Sequence, residues 1–520
     1  MVRYLKRLKV IHIIMISFFF INLIFLTNFP FVHSDEAWLS GLSRNMLEER
    51  DLSVTEPFFD LYPRSPHAVK LIFHLIQIVF IKLMGYHIFT FRLISLLAGT
   101  TSLYLFYKIA KRFNDSKILA AVAVIMLGLD IQFIYASHFA RQEILLLLVF
   151  LIALCYFLKK YNNRKSTFQD IVIGLILGTG IGIHPNSFVI TLPFVFIYIY
   201  NLLIEKKIKL KNLIAFIATL SLIALFFLLL SLNFNSKFIA DYTSYGESLG
   251  VFSSILTKID RFDYFYQKLF YEVSGTYYTP PIKFQFIIFT LAIIYSILDL
   301  IYKKDKRKVN KNILLLLLFI GINIGHVIIG RYNQTGIIFI FPISYLLILN
   351  IVSSLKKEYG IIIITVILAI LAFNTTSTLI NDTYFNYDEY LTEIAKVVTK
   401  DSRVLANLNS DYYFNNGRLL DYRNLAYLNE NNTSFSKYIR SREIEYIIYP
   451  EEMDFIYNSR PVWNILYGNL YPYYQEMKEF LKEDCEVVYS FTNKTYGMRI
   501  ARYVGEREWK IKIYKIIYQR

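Results

Sequence analysis

The stretch Val10-Ile-His-Ile-Ile-Met-Ile-Ser-Phe-Phe-Phe-Ile-Asn-Leu-Ile-Phe-Leu-Thr-Asn-Phe29, followed after a four-residue link by Ser34-Asp35-Glu36-Ala37-Trp38, decides how this chain is read. About 20 residues make about 30 Å of helix, enough to cross a hydrocarbon core. A cleaved signal peptide is the competing reading. The apolar run is long for one, no clear small-x-small cleavage site follows, and many further apolar blocks come after it, so a retained first span is expected. Arg3, Lys6, Arg7 and Lys9 would hold its start in the cytoplasm, and the adjacent acids Asp35 and Glu36 then emerge at the outer membrane surface.

Composition agrees: 55% of residues are hydrophobic and the mean hydropathy is +0.41. The net charge of +16 invites a nucleic-acid partner, but the basic residues sit in short clusters between apolar blocks. That is the positive-inside pattern of a membrane protein, and no nucleic-acid role is expected. Cys155 and Cys485 are the only cysteines, so no disulfide framework is available and redox compartment is not legible from them.

Parity of the basic clusters gives a topology. Lys108/Lys111/Arg112/Lys117, Lys159/Lys160/Arg164/Lys165, Lys206/Lys207/Lys209/Lys211, the run Lys303 to Lys311 and Lys356/Lys357 are the expected cytoplasmic turns. Spans are expected near 10–29, 91–108, 117–135, 143–158, 168–183, 187–204, 212–232, 283–302, 312–330, 336–353 and 361–380, eleven crossings in all. The block Val69 to Met84 would invert this topology if it crossed. Lys70, His74, Gln77 and Lys82 interrupt it, which suits an interfacial helix; an ordinary span lining a polar cavity is the other reading.

Two domains are therefore expected: residues 1–380, with a long external loop at 30–90, and residues 381–520 outside the membrane. In the second, Arg403 to Asn407, Glu445 to Tyr449, Glu486 to Tyr489 and Met498 to Tyr503 read as strands, and Tyr387 to Lys400 and Tyr473 to Glu483 as helices, giving an α/β fold. No Gly-rich phosphate loop and no metal-ligand spacing occurs there.

Residues 34 to about 205 resemble the lipid-phosphate-sugar-dependent membrane glycosyltransferases of the GT-C fold, in particular the protein O-mannosyltransferase and lipid A aminoarabinose transferase superfamily. The residues that carry the resemblance are Asp35-Glu36, Arg44-Asn45-Met46, Pro66 before an amphipathic helix, Phe91-Arg92-Leu93, Arg141-Gln142-Glu143 and His184-Pro185, with Gly330-Arg331-Tyr332 and Pro342 later. Two departures stand out: Arg64-Ser65-Pro66-His67 where many relatives carry Lys-Pro-Pro, and Glu143 where the second acid is often Asp.

The resemblance implies a polyprenyl-phosphate sugar as donor, a hydroxyl of a lipid, glycan or protein as acceptor, and transfer at the outer surface. That chemistry needs a base, a charge clamp and an acceptor dock. Asp35 is the candidate base, with Glu36 orienting it or binding sugar; the plain alternative is two acids opening a helix capped by Ser34. Glu143 matches the family's second acid and Arg141 either pairs with it or meets phosphate, although a boundary Arg often only snorkels. Arg331, Tyr332, Arg64, His67 and Lys70 are candidates for the donor phosphate. Arg92 reads as a helix-end anchor, and Tyr271, Tyr277 and Tyr278 as an aromatic belt sooner than a sugar platform. His184 is a possible site residue. A divalent metal ion is the one candidate cofactor, requiring His67, His138 and His184 to converge. A flippase of lipid-linked glycans is the alternative function, and a cell-envelope assembly protein a third; the first should show charges across the bilayer midplane and internal repeats, and neither is evident.

Overall fold

The computed structural model describes residues 10–114, 116–160, 167–273, 275–302, 306–381, 386–499 and 507–517. Arg3, Lys6, Arg7, Lys9, Arg164, Lys165, Lys303 and Lys304 of the expected cytoplasmic clusters lie outside them. Every apolar block expected to cross falls on a helix or a helix pair. The order is α1 Val10–Phe25, α2 Ser34–Glu49, α3 Leu71–Met84, α4 Ile88–Phe113, the pair α5 Lys117–Gly128 and α6 Ile131–His138, α7 Glu143–Lys160, α8 Phe168–Thr179, α9 Ser187–Leu203 and α10 Leu210–Phe234. Then come α11 Phe238–Ser248, α12 Ile255–Phe270, α13 Lys283–Tyr302, α14 Lys306–Ile329, α15 Phe341–Ser354 and α16 Lys357–Asn381. Among the described residues six helical runs are individually long and apolar enough to cross a bilayer, or seven counting the pair α5 and α6, which is bent by 65°; several of the rest are shorter apolar helices.

The bend has a local cause. The Asp130 carboxylate takes the Gln132 N–H at 2.8 Å, capping α6, and accepts from the Tyr345 hydroxyl at 2.5 Å. Outward faces are apolar: Leu222, Phe226 and Leu229 of α10 and Ile362, Val366 and Phe373 of α16 are exposed, an arrangement that suits lipid and not water. Between α9 and α14 the backbones meet closely. A Cβ on Gly321 would lie 2.5 Å from the Pro193 Cα, and one on Gly325 2.9 Å from the Val189 Cα.

The C-terminal region adds α17 Tyr387–Ala395, β1 Val404–Ala406, β2 Leu419–Asp421, α18 Phe435–Ser441, β3 Tyr446–Pro450, α19 Glu452–Ser459, α20 Tyr471–Glu483, β4 Cys485–Asn493 and β5 Trp509–Ile516. They form one sheet in the order β2-β1-β3-β5-β4, parallel through β3 and antiparallel beyond it. Three expected strands are present. Met498 and Arg499 are not strand, and 500–503 lie outside the described residues. The antiparallel partner is β5 instead, whose Trp509, Ile511 and Ile513 are buried in alternation with lysines.

This sheet region sits directly on α2. Arg44 donates to both Asp411 oxygens at 3.0 and 3.1 Å and to the Phe414 carbonyl at 2.8 Å, and the Tyr86 hydroxyl donates to Asp411 at 2.6 Å. Asn424 accepts the N–H groups of Asp60, Leu61 and Tyr62 and donates to the Phe58 carbonyl. The loop after α2 is thereby held by residues more than 360 positions away.

Candidate active site

Asp35 stands in the first turn of α2. The cap is His33, not Ser34: its Nδ1 accepts the Asp35 N–H at 3.0 Å, while Glu36 accepts the His33 N–H at 2.9 Å, a closed capping box. Glu36 is fully buried and its carboxylate also takes both ends of the Arg92 guanidinium at 2.8 and 2.9 Å and the Ala140 N–H at 3.0 Å. Arg92 further donates to the Leu26 and Pro30 carbonyls. Arg92 is thus not a helix-end anchor but a core ion-pair partner, and Glu36 has no oxygen free for sugar; it orients the start of α2.

Asp35 faces the other way and is partly open. Arg141 and the Tyr277 hydroxyl both donate to its Oδ2. Burial alone would raise the carboxyl, but Arg141 and then His33 and Tyr277 hold it well below the usual carboxylate range. Arg141 also donates to Tyr277 at 2.8 Å and to both Glu143 oxygens at 3.2 and 3.4 Å, so the two acids flank one guanidinium. Tyr277 stacks on the His33 ring at 4.3 Å. It belongs to the site and not to an aromatic belt.

Beside Arg141 lies a cluster of cations. Burial and the charges of Arg64, Arg331 and Arg141 bring the Lys70 ammonium down to about 8. His184 lies among the same charges, and burial together with Lys70 and Arg331 holds it neutral. Burial and then Lys70 lower His67 to about 3, and its Nδ1 has no partner among the described residues. Neither Lys70 nor Arg331 forms a side-chain hydrogen bond or ion pair among the described residues. Arg64 differs: it binds Glu56 at 2.8 and 2.9 Å, Trp38 donates to the same carboxylate at 2.6 Å, and the guanidinium lies 5.2 Å from the Trp38 ring. Against a burial penalty, Arg64 pulls Glu56 down to about 2.

Two predicted residues point elsewhere. Tyr332 donates to the Lys258 carbonyl at 2.8 Å and stacks on Phe265 at 5.4 Å, so it anchors α12 instead of facing the donor. His138 donates through Nδ1 to the Phe29 carbonyl at 2.8 Å, away from His67 and His184. Among the described residues no group of three His, Cys, Asp or Glu could hold a metal ion, and the nearest carboxylates are committed to arginines. This donor set does not fit a metal, and no step is derived through one. Residues the sequence did not single out are His33, Trp38, Glu56 and Arg499, and Arg423 lies in the charged segment Leu420 to Leu425, to which the sequence assigns no chemistry. Trp38 had a signal, since it follows Asp35 by three positions and shares its helix face.

The dolichyl-phosphate-mannose-protein mannosyltransferase family matches residues 67–231, which include His67, Lys70, Arg92, Arg141, Glu143 and His184 but begin after Asp35. No curated protein sequence matches the chain. Among solved structures, ArnT from Cupriavidus metallidurans bound to undecaprenyl phosphate superposes with a TM-score of 0.60 at 11% identity, over 96% of this chain and 97% of that one. The Archaeoglobus fulgidus oligosaccharyltransferase in complex with Zn and sulfate gives 0.55 at 13% identity, over 86% and 69%. The same enzyme tethered with an acceptor peptide gives 0.52 at 12% identity, over 93% and 73%. At such identities the likeness is one of fold. The expected resemblance is borne out: this chain is a polytopic membrane protein with the GT-C glycosyltransferase fold, similar over residues 67–231 to the dolichyl-phosphate-mannose-protein mannosyltransferase family.

Proposed function

We propose that the protein transfers a sugar from a polyprenyl-phosphate donor to an extracytoplasmic hydroxyl of a lipid, glycan or protein, with Asp35 as general base. The observation that carries this reading is a partly open carboxylate, Asp35, joined through Arg141 to a cation cluster, Lys70 and Arg331, that has no ion-pair partner among the described residues. Residues 1–380 hold the donor and 381–520 close over the outer side, with the N-terminus cytoplasmic.

As held by Arg141, Asp35 is a weak base. A donor phosphate between Lys70, Arg331 and Arg141 competes with Asp35 for the Arg141 guanidinium, which frees the carboxylate and raises its basicity. The acceptor oxygen then attacks the anomeric carbon, its proton passes to Asp35, and the bond to the phosphate oxygen breaks with its electron pair. Lys70, Arg331 and Arg141 stabilise the growing phosphate charge, so no separate acid is needed. Glu143 keeps Arg141 in place, and inversion at the anomeric carbon follows from a single displacement.

The test is transfer of labelled sugar in membranes from a polyprenyl-phosphate donor pool to cell-envelope acceptors. Asp35→Asn keeps size and removes the base, and is expected to lower transfer by about 10²-fold or more at equal abundance. Unchanged transfer would leave Asp35 as no more than an acid in the first turn of α2, and absence of any protein-dependent product would favour the flippase reading.

A further inference from the structure

A second group of guanidiniums reaches Asp35 from the sheet region. Asp421, fully buried at the end of β2, accepts from Arg423 Nε at 2.7 Å through one oxygen and from Arg499 Nη2 at 2.6 Å through the other. One carboxylate therefore serves two arginines, and buried Glu452, whose Oε2 accepts the Arg499 backbone N–H at 2.8 Å, lies beside the second. Arg423 lies 4.4 Å above the Trp38 ring and 4.9 Å from Phe59, so it packs on the residue one helical turn beyond Asp35. Its Nη2 is buried and has no hydrogen-bond partner among the described residues. Asp35 and Arg423 each feel the other's charge. Arg44 and Arg64, in contrast, each have a carboxylate of their own.

An unsatisfied buried guanidinium N–H is costly, and stacking on Trp38 alone would be served as well by an uncharged side chain. A ligand anion would remove the cost. We infer that Arg423 binds an anionic group of the acceptor, so that the acceptor is a carboxylate- or phosphate-bearing molecule whose negative charge lies beside the hydroxyl that receives the sugar. This rests on the glycosyl-transfer reading. It gives the sheet region a direct part in choosing the acceptor, because an acceptor without an anion leaves the Arg423 Nη2 group without a hydrogen-bond partner.

Trp38 supplies a reporter that does not depend on transfer. Full-length protein in detergent is titrated with methyl glucuronide against methyl glucoside, and with glycerol 3-phosphate against glycerol, following tryptophan fluorescence with Trp38→Phe as the blank. The expected result is a saturable response to an anionic probe and none to its neutral counterpart. Affinity should fall at least tenfold in Arg423→Gln and recover in part in Arg423→Lys, with melting temperature as the folding control. The two anionic arms tell carboxylate from phosphate. Asp35→Asn should still bind the probe while losing transfer, which separates failure here from failure of the glycosyltransferase reading. No saturable response, an equal response to neutral probes, or unchanged affinity in Arg423→Gln would overturn the inference.

Discussion

Lys70 is a cation lowered to about 8, first by burial and then by Arg64, Arg331 and Arg141, so it loses its proton close to physiological pH. If it clamps the donor phosphate, donor kcat/KM should fall as pH rises through about 8, and Lys70→Gln should lower kcat/KM and flatten that limb. Stability moves the other way. Between about 8 and 10.5 the unfolded chain holds a proton that the native Lys70 lacks, so this group makes folding more favourable as pH rises there. Activity lost while the melting temperature holds would identify the clamp. A second residue-scale prediction concerns Glu36. Arg92→Met strands a buried carboxylate and should cost about 3–5 kcal/mol, while the double variant with Glu36→Leu should recover much of it in thermal unfolding. At this scale the sequence displayed the acids and Arg141 as a motif, but not who pairs with whom. Glu36 and Arg92 are joined by the crossing of α2 and α4, and Arg64 meets Glu56 only because the loop folds back on itself.

Elements are where the sequence was most readable, because a bilayer demands apolar blocks of about 20 residues and short basic turns. The block at 71–84 is a helix carrying His74 and Gln77 on its buried side, where Ser43 meets both, and Leu75, Val79 and Leu83 on its exposed side, a division that fits an interfacial helix and a span lining a polar cavity equally. The Gly321 and Gly325 pair of α14 is a spacing that means close helix approach, though only the structure names α9 as the partner. Gly321→Ala should therefore cost about 1–3 kcal/mol by forcing the backbones apart, read as a lower melting temperature. Gly275→Ala, which meets nothing within 4 Å, should be neutral. Strands were half legible. Trp509-Lys-Ile-Lys-Ile displays the period-two signal of β5, whereas the three residues of β2 are too few to show any period.

On the scale of the whole molecule, the helices that open at Asp35 run toward basic ends: α4 begins near Arg92 and closes on Lys111 and Arg112, and α7 begins at Glu143 and closes on Lys159 and Lys160. The sheet region clasps the opposite end through Arg44 and Asp411. Charge thus divides along the molecule, with Lys70 and Arg331, which have no ion-pair partner among the described residues, on the Asp35 side and basic turns at the far end, where an anionic leaflet would make each cation worth about 1 kcal/mol. The positive-inside bias predicts that the sheet region and Asp35 lie outside the cytoplasm. A Cys155→Ser, Cys485→Ser background permits a direct check, because Lys437 on α18 and Lys207 between α9 and α10 are both exposed. Lys437→Cys should react with a membrane-impermeant maleimide on intact cells, and Lys207→Cys only after permeabilisation. The reverse pattern would turn the molecule over in the membrane, put Asp35 on the cytoplasmic side, and end the case for an extracytoplasmic acceptor even if transfer itself were retained.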